Sequence, residues 1–539
     1  MKQMTRRSFL TNTLAASATV TIAGTKSSGR VLGANDVIRV GVPGIHGSED
    51  CPMTTKTFST ILGVCLLSLG LLFPAIAEER TEHFDRDPGW EGHNNRLPVS
   101  PRTIRQDFGY SKTSHAAEPA GRIGGFITAA AEPAYYAKKL PVKTFGNALS
   151  ASGTLAVDGR PFHALIGFFN ADTLNEWRTP NSICLRISGR GDVFYAWLEY
   201  ATERWRAGGD QPIGFPTIRN PKTGKARLQG FGAKGAVHRW SLHYDPNGND
   251  GGGVITATID DTNAVCHLAD GHKADGARFN RFGLLNVMKS AAGGGEVWLG
   301  DLTINGDRED LGHDPGWDHL QNRTAYTTKI IRPFFDFGFS PTHYAGGQNA
   351  GEMGGLVFRG DCRFPNRMAS YADRLPDLTL DKPIHASGKV CLKRGVTDST
   401  VLLGFFHSEI SMKSNPSQDS GLPKCFLGIS TDGPSREGFF FSPTYRTSGD
   451  GHGHAKRDQP RILPDGSSHD WSLDYLPAGA NGRGEITLIL GKQSIRLPVG
   501  PGHKTTGTHF NRFGLITTWI DGNSQSIYFD DLRYTCSQE

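Results

Sequence analysis

Apolar and polar residues alternate with a period of two along most of the chain after residue 84. The alternation is clear in 254–259, 296–302, 485–490 and 527–532. Successive side chains of a β-strand point to opposite faces of its sheet, so this period predicts strands with one buried face. We find no long segment in this region with the period of 3.6 residues that is typical of an amphipathic helix. The pattern therefore predicts an all-β protein.

One hexapeptide, Phe-Asn-Arg-Phe-Gly-Leu, occurs twice without a change, as residues 279–284 and 510–515. The copies lie about 230 residues apart, which is the length of a whole domain rather than of a solenoid repeat. Other landmarks repeat in the same order, among them Asp87-Pro88-Gly89-Trp90 with Asp314-Pro315-Gly316-Trp317 and Gly271-His272-Lys273 with Gly502-His503-Lys504. We therefore predict two copies of one domain, residues 84–307 and 312–536.

Tight turns separate the predicted strands. The chain has 68 Gly and 30 Pro, spread along its length rather than gathered in a low-complexity tract. Gly supplies positive φ and Pro pre-sets a turn, so this composition suits many short strands. Domains of this size built from short strands form two sheets packed face to face. The junction between the copies, near Gly306 to Gly312, is short, so we expect the two sandwiches to touch.

The second half of each copy carries the same series of features. Trp-Ser-Leu, at 240–242 or 471–473, is followed by a Gly-rich turn, an alternating strand, the repeated hexapeptide and a final Asp-Leu strand. This series resembles the back half of a concanavalin-like (LamG-type) jelly roll, and the repeat is similar to modules of secreted planctomycete-like bacterial proteins. The resemblance implies two tandem concanavalin-like (jelly-roll) β-sandwich domains. It also implies binding of a polysaccharide or a cell-surface glycan.

The first 52 residues look like a separate export signal. Thr5-Arg6-Arg7-Ser8-Phe9-Leu10 resembles a twin-arginine motif, and residues 37–47 look like the first strand and Gly turn of a Rossmann unit. Residues 1–50 as a whole resemble the start of exported Gfo/Idh/MocA-type oxidoreductases. A dinucleotide site also needs a helix for the pyrophosphate and an acidic residue about 20 positions on, and both are missing. We therefore interpret residues 1–52 as a remnant or an over-extended start.

A second export signal occupies residues 53–77. Lys56 gives it a positive start, residues 61–73 form its apolar core, and Ala75-Ile76-Ala77 is an A-x-A cleavage site. The apolar run is shorter than the roughly 20 residues that span a bilayer. We predict an exported protein, periplasmic, cell-surface or extracellular, with no integral membrane span in the mature chain.

Charge and cysteine content exclude some classes of partner. The formal net charge of +5 is small for 539 residues and predicts no nucleic-acid footprint. None of the cysteines forms a CxxC pair, which argues against a zinc knuckle. Cys184 and Cys425 occupy matching places in the two copies, so we interpret them as core residues rather than as a bridge.

Several repeated polar and aromatic residues are candidates for ligand binding. A flat Trp face matches the C–H face of a pyranose, Arg can bind carboxylates or hydroxyls, and a His-Lys pair can bind an anionic sugar. The candidates are Trp90, Arg96, Arg206, His272, Lys273, Arg281, Trp317, Arg323, Arg446, His503, Lys504 and Arg512. Each has a structural alternative: the Trp as an end plug, the His-Lys pair as a solvated loop, and Asn-Arg of the hexapeptide as a tie between loop and sheet.

The first copy alone carries Trp177, Trp197 and Trp205. If these side chains lie at the surface, the first copy is the better ligand binder. This expectation depends on exposure, which the sequence does not give.

Metal and catalytic candidates are weaker. Concanavalin-like folds often hold calcium, and acidic residues recur at Asp107, Asp210, Asp336 and Asp450, but without an Asp-x-Asp-x-Asp cluster. Calcium is thus a possible cofactor, and we expect no other. Glycosidases need two carboxylates at a set separation, for which Glu199 and Glu203, with His163, are the candidates. The second copy has Thr444 and Ser448 in place of the two glutamates.

These observations predict an exported, non-catalytic glycan-binding protein. The alternatives are a polysaccharide hydrolase or lyase that uses Glu199, Glu203, His163 or Arg206, and a structural or adhesion module without a small ligand. Converging carboxylates in a deep cleft would favour the enzyme. A Trp-lined concave sheet would favour binding.

Overall fold

The computed structural model describes residues 78–538 with the exception of 116–120, 216, 220, 225, 361–363, 414–420, 436, 456–458 and 519. The side chains of 210–214, 217–218, 226–227, 365 and 434–435 also lie outside the description. The predictions for residues 1–77, two export signals and a Rossmann-like start, fall outside the described residues. The described residues belong to one compact unit.

Strands dominate the described chain. Up to residue 328 they are β1 (Glu78–Glu82), β2 (Glu91–His93), β3 (Arg102–Ser111), β4 (Arg122–Thr128), β5 (Tyr135–Thr144), β6 (Leu149–Val157), β7 (Phe162–Phe169), β8 (Ser182–Arg190), β9 (Val193–Ala201), β10 (Ala207–Gly214), β11 (Thr217–Arg219), β12 (Ala226–Leu228), β13 (Phe231–Gly232), β14 (Val237–Asp245), β15 (Val254–Ile259), β16 (Thr262–His267), β17 (Arg278–Asn286), β18 (Gly294–Ile304), β19 (Asp307–Arg308), β20 (Asp318–Leu320) and β21 (Arg323–Thr328).

The remaining strands are β22 (Asp336–Ser340), β23 (Glu352–Phe358), β24 (Ser370–Thr379), β25 (Ile384–Gly395), β26 (Ser399–Phe406), β27 (Phe426–Ser435), β28 (Gly438–Arg446), β29 (His452–His454), β30 (Arg461–Ile462), β31 (Ser468–Leu476), β32 (Glu485–Leu490), β33 (Gln493–Pro498), β34 (His509–Thr517) and β35 (Ser524–Ser537). Helical turns are short: 3₁₀ turns at Ala171–Thr173 and Pro365–Arg367, and α-turns at His272–Asp275 and Gly479–Gly482.

Four large sheets form two sandwiches. Sandwich 1 has a back sheet in the order β16-β15-β14-β6-β18-β4-β3-β21, with β19 beside β18, and a front sheet in the order β10-β9-β8-β7-β17-β5-β20, with β13 beside β9. Sandwich 2 has a back sheet β22-β23-β35-β25-β31-β32-β33, with β1 beside β35, and a front sheet β2-β24-β34-β26-β27-β28-β29, with β30 beside β28. The predicted fold class, all-β with two tandem jelly-roll sandwiches, is confirmed.

Each sandwich has its own apolar core between its two sheets. Trp240 and Phe282 stack in the first core, with ring centroids 6.4 Å apart. Trp471 and Phe513 belong to the second. The two Phe of each hexapeptide are fully buried, which confirms the prediction that they point into the core. The alternation seen in the sequence thus reports which face of each strand meets the opposite sheet.

A segment with the Asp-Pro-Gly-Trp motif covers one end of each sandwich, and the two segments enter from different directions. The central clasp, residues 307–323, directly follows β18 and packs on sandwich 1, where Trp317 stacks on Tyr136 with centroids 5.7 Å apart. The N-terminal clasp, residues 78–96, packs on sandwich 2, where Trp90 lies 5.8 Å from Tyr371. The N-terminal clasp therefore completes the sandwich that is more distant in the sequence.

Matched contacts show that the two clasps are equivalent. Tyr136 donates to Asp314 (2.8 Å) in sandwich 1, and Tyr371 donates to Asp87 (3.2 Å) in sandwich 2. On the back sheets, β19 pairs with β18 and β1 pairs with β35 from Glu82↔Leu532 towards Glu78↔Ser537. The first described residue of the chain thus lies beside its last strand.

The predicted domain bounds, 84–307 and 312–536, describe the sequence repeat but not the sets of paired strands. Residues 84–96 contact sandwich 2, and residues 312–328 contact sandwich 1 through β20 on β5 and β21 on β3. The segment Gly306 to Gly312, expected as the junction, belongs to the central clasp. The sandwiches do touch, as expected: Arg394 donates to the carbonyl of Asn175 (3.0 Å) and Ser290 to Asn523 (3.2 Å).

The cysteine prediction needs one correction. Cys184, Cys266, Cys391, Cys425 and Cys536 are buried free thiols, as expected for core residues. However, Gly167 pairs with Cys184 while the matching Gly404 pairs with Gly428, so Cys425 is not the counterpart of Cys184. The strand pairing places Gly428, three residues beyond Cys425, at the position of Cys184. Among the described residues, no helix has the length and apolar character to cross a membrane.

Candidate functional site

A cleft of about 440 Å³ lies on the outer face of the front sheet of sandwich 2. Strands β26, β27 and β28 place every second side chain on this face, because the alternate ones enter the core. Its lining includes Arg359, Thr400, Leu422, Ser430, Asp432, Phe440, Ser442, Thr444, His454, Gln459, Thr518 and Ile520. The floor is therefore made largely of small hydroxyl side chains.

Arg359 organises the charged side of the cleft. Its Nη1 donates to Asp398, its Nη2 to Asp432 (3.0 Å), and its Nε to the hydroxyl of Thr400 (2.7 Å). The Thr400 hydroxyl in turn donates to Asp432. The Asp432 side chain is 45% exposed, so it offers a fixed carboxylate to the cleft. Rigid, pre-paired charges of this kind orient a ligand without reorganisation.

The hydroxyl floor is partly engaged within the protein. Ser442 donates to Gln459, and Thr444 donates to the carbonyl of Gly453 (3.2 Å). The Ser430 hydroxyl makes no hydrogen bond within the part of the chain that the structure describes, and the residue is 9% exposed. Because this Oγ keeps some solvent exposure at the floor of the cleft, it can donate to or accept from a bound polar group.

The cleft also has apolar surface. The Arg461 guanidinium lies 4.0 Å from the centroid of the Phe440 ring, which fixes that ring in the wall. Ile520 is 43% exposed at the rim. A few polar groups among apolar walls are typical of pockets for small ligands and sugar units.

The equivalent face of sandwich 1 is filled. The Arg186 guanidinium lies between two indole rings, 5.0 Å from Trp177 and 4.3 Å from Trp197, and its Nε is 2.8 Å from Glu199 Oε1. Arg186 and Glu199 are 7% and 3% exposed. The strand register matches Arg186 to Ser430 and Trp197 to Ser442. Large side chains thus occupy the space that is open in sandwich 2.

Burial shifts several titrations in this filled face. It raises the pKa of Glu176 to about 7, although Arg178 and Arg394 oppose the shift. It lowers the pKa of His163 to about 2 and that of Lys289 to about 8, with neighbouring cations adding to both shifts. The Nδ1 of His163 and Oε2 of Glu176 have no hydrogen-bond partner among the described residues. Burial thus favours the neutral form of Glu176, His163 and Lys289.

The predicted catalytic residues do not converge in a cleft. Glu199 is paired with Arg186 beneath the indoles, Glu203 lies in an exposed turn beyond the end of β9, and His163 is half-buried. The spacing of four residues therefore did not place both glutamates on one strand face. The condition under which copy 1 would be the better binder, surface exposure of its additional Trp side chains, is not met by Trp177 and Trp197, which are buried against Arg186. Trp205 is half-buried in a turn with φ 63°.

The hexapeptide arginines fasten the clasps. Arg281 Nη2 lies 2.7 Å from Asp318 of the central clasp, and Arg512 Nη2 lies 2.7 Å from Glu91 of the N-terminal clasp. Burial opposes ionisation of Asp318, but hydrogen bonds from Arg281 and Tyr135 leave its pKa below the ordinary value. Asn280 and Asn511 accept from the backbone N–H of Ala171 and Ser408 (3.0 and 2.9 Å). The structural interpretation of this motif, a tie between loop and sheet, is confirmed.

The His-Lys pairs also have matched internal partners. His272 and His503 each place Nδ1 against a tyrosine hydroxyl, Tyr200 (2.9 Å) and Tyr445 (2.8 Å). Lys273 and Lys504 donate to turn carbonyls, at 2.7–2.8 Å and 3.1–3.4 Å. In sandwich 1, His272 also contacts the other sandwich, because Glu437 of sandwich 2 lies 2.9 Å from His272 and 2.7 Å from Arg206.

The remaining binding candidates serve the clasps or border the cleft. Arg96 and Arg323 donate to the carbonyls of Phe339 and Tyr110. A groove of about 500 Å³ between central clasp and sheet is lined by Trp317 and Arg323, among others. Arg446 donates to the carbonyl of Leu422 (2.8 Å), a lining residue of the cleft. As contacts to a ligand, all these positions stay sequence predictions.

The acidic candidates for calcium lie apart. Asp107 accepts from Arg105 (2.5 Å), Asp336 is 3.6 Å from Arg96, and Asp450 is 3.7 Å from Arg446. The side chain of Asp210 is outside the description. Within the described ranges, no group of three or more His, Cys, Asp or Glu is arranged to hold a metal ion.

Sequence reasoning missed the floor of the cleft. Ser430, Asp432, Ser442 and Thr444 alternate along β27 and β28 with residues buried on the core side of the sheet. The difference becomes visible when matched strand positions of the two copies are compared: copy 2 has hydroxyl residues where copy 1 has Arg, Trp and Glu. The sequence repeat already matched Glu199 to Thr444, but the matches of Arg186 to Ser430 and of Trp197 to Ser442 come from the strand register.

Comparison with known proteins gives fold likeness at low similarity. No protein-family model and no curated protein matches the chain. Among solved structures, domains LG4-5 of the mouse laminin alpha1 chain match at 10% identity over 78% of this chain and 92% of that chain, with a TM-score of 0.22. The carbohydrate recognition domain of Emp47p matches at 10% identity over 37% and 88%, with a TM-score of 0.22. The botulinum neurotoxin DC binding domain, in complex with rat synaptotagmin II, matches at 10% identity over 82% and 94%, with a TM-score of 0.19. The fold assignment therefore rests on the strand order of the chain itself.

Proposed function

We propose that this chain is an exported, non-catalytic binding protein and that the cleft of sandwich 2 takes a unit of a polysaccharide or cell-surface glycan. The observation that carries the proposal is the hydroxyl-lined cleft of about 440 Å³ with the fixed Arg359–Asp432 pair at its side. Export rests on the predicted signal at residues 53–77.

The chemistry of the cleft suits a sugar. Asp432 and the Ser430 hydroxyl can exchange hydrogen bonds with ring hydroxyls, while Phe440 offers an apolar face to C–H groups. The rim at Ile520 is open, so a glycan chain can continue beyond the one sugar unit that the cleft holds. Because the matching face of sandwich 1 is filled, we expect one such site per chain.

The enzymatic alternative lacks a supporting arrangement. Hydrolysis of a glycosidic bond uses a carboxylic acid and a second carboxylate that flank the bond. Asp432 of the cleft and the neighbouring Asp398 both accept from Arg359, so these two carboxylates act as fixed hydrogen-bond acceptors. Glu199 is closed off in sandwich 1.

A glycan array probed with the secreted chain tests the proposal. The decisive variant is Ser442→Trp, which introduces at the cleft floor the residue that sandwich 1 has at the matched position 197. We expect at least a tenfold loss of binding to any glycan that the unaltered chain retains, with EDTA without effect. N-terminal sequencing of the same material is expected to begin at Glu78.

Ile489→Trp is the matched control, because Ile489 is 38% exposed on the back sheet of the same sandwich. It should bind as the unaltered chain does. Equal glycan binding by the Ser442→Trp and unaltered chains, or the absence of any bound glycan, would contradict the proposal.

A further inference from the structure

The N-terminal clasp is joined to sandwich 2 by many contacts but by no nearby covalent link. Strand β1 pairs with β35, β2 pairs with β24, and Phe84 is fully buried in the core of sandwich 2. Glu91 accepts from both Arg374 (3.0 Å) and Arg512 (2.8 Å). All of sandwich 1 lies between this segment and those partners in the sequence.

The covalent tie of this clasp is a short exposed linker to sandwich 1. It comprises residues 97–101, with Leu97 42% exposed and prolines at 98 and 101. Proline fixes φ and favours an extended, semi-rigid connection. The central clasp differs, because only the turn Asn305-Gly306 separates it from the strand that it accompanies.

A clasp from a second copy would make the same contacts as the chain's own clasp. The two arrangements then differ in free energy through the strain of the linker and the effective concentration of the tethered segment, which is in the millimolar range for short linkers. Exchange of an identical element between copies is a low-cost route to association. We infer that the N-terminal clasp exchanges between copies, so that residues 78–96 of one chain complete sandwich 2 of another.

Charge directs the exchanged segment to sandwich 2. In that sandwich Arg80 of the clasp pairs with Asp373 of β24. The matched residue of sandwich 1 is Lys138, which instead pairs with Glu309 of the central clasp. A clasp placed on the wrong sandwich brings Arg80 towards a lysine, and like charges disfavour that contact.

Cross-strand cysteines test the exchange. Thr81 faces Arg533 in the register of β1 and β35. Two single variants, Thr81→Cys and Arg533→Cys, are mixed as folded full chains, incubated, oxidised and separated without reductant. We expect a disulfide-linked pair of chains whose fraction rises with protein concentration towards the millimolar range.

The central clasp supplies the matched control. Thr303 faces Arg308 in the register of β18 and β19. A mixture of Thr303→Cys and Arg308→Cys chains should give no linked pair above the background of the unaltered chain. The double variant Thr81→Cys/Arg533→Cys, dilute, should close within one chain and so confirm the geometry. No linked pair from the first mixture, with that double variant closed, would overturn the inference.

A second measurement does not depend on cysteines. Deletion of Val99 and Ser100 shortens the linker, so closure within one chain becomes strained while exchange does not. Light scattering should then show dimers or larger species at concentrations where the unaltered chain is monomeric. A shortened chain that stays folded and monomeric would also overturn the inference.

Discussion

The front sheets of the two sandwiches share their strand order but differ in what covers their outer faces. Matched positions carry large charged or aromatic residues in sandwich 1 and small hydroxyl residues in sandwich 2; the pairs are His163 with Thr400, Arg186 with Ser430, Trp197 with Ser442 and Glu199 with Thr444. One face is a packed interior and the other is an open cleft. Duplication thus preserved the scaffold, while side-chain size at these matched positions distinguishes the filled face from the open cleft.

Among substitutions at the two faces, we expect the largest loss of unfolding free energy from Arg186→Ala in the filled face. It removes the nearer ion-pair partner of the buried Glu199 carboxylate, leaving Arg178 at 4.0 Å, and opens space between two indoles, so we expect a loss of about 3–4 kcal/mol in unfolding free energy. Chemical denaturation measures it. A loss below about 1 kcal/mol would show that water replaces the guanidinium, and that the filled face is less closed than described.

The filled face should also respond to pH through Glu176. Burial raises its pKa from the ordinary value of 4.5 to about 7, so the folded state binds more protons than the unfolded state between these pH values. Its contribution to stability therefore falls as pH rises from about 4.5 to 7, by up to about 3 kcal/mol. Glu176→Gln should remove this dependence, as measured by denaturation at pH 5 and pH 8. Parallel pH profiles of variant and unaltered chain would refute the assignment.

The charged side of the open cleft should tolerate loss of one carboxylate. Asp432→Asn leaves Arg359 paired with Asp398, and the Asp432 side chain is 45% exposed, so we expect at most about 1 kcal/mol of destabilisation. Calorimetry measures stability, and glycan binding should weaken in the same variant. A loss of several kcal/mol in unfolding free energy would mean that Asp432 stabilises the fold of sandwich 2 rather than serving a ligand.

The smallest effect is expected at the position matched to Arg186. Ser430→Ala removes a hydroxyl that has no hydrogen bond within the described chain, so stability should change by less than about 0.5 kcal/mol. Thermal unfolding of the Ser430→Ala and Arg186→Ala variants, measured side by side, compares the open cleft with the filled face. A large loss at Ser430 would indicate a buried partner in the unliganded cleft.

The sequence predicted the sandwiches because period-two alternation and a repeated hexapeptide depend on local geometry. It could not assign the clasps to their sandwiches, since a repeat looks the same wherever its starting point is placed. Only the pairing of β1 with β35 shows that the repeat and the closed unit are out of phase. The structural interpretation of Phe-Asn-Arg-Phe-Gly followed from its residue types, but the acidic partners of its arginines, Glu91 and Asp318, lie far away in sequence.

The site was harder to predict for a different reason. Trp177 and Trp197 are attractive as sugar platforms until the structure places Arg186 between them. Serine and threonine are common in strands, so the hydroxyl floor of the cleft had no distinguishing pattern. Exposure, which separates the two cases, is a property of the assembled sheets.

The juxtaposition of Glu78 with Ser537 bears on how such a chain can be rearranged. Transferring the first 19 described residues to the rear of the polypeptide would give a linear tandem in which each unit carries its own cover. Further sandwiches could be added between the two present ones, since each would carry its own clasp as sandwich 1 does. The present strand order of the described residues is thus one circular permutation of that simpler array.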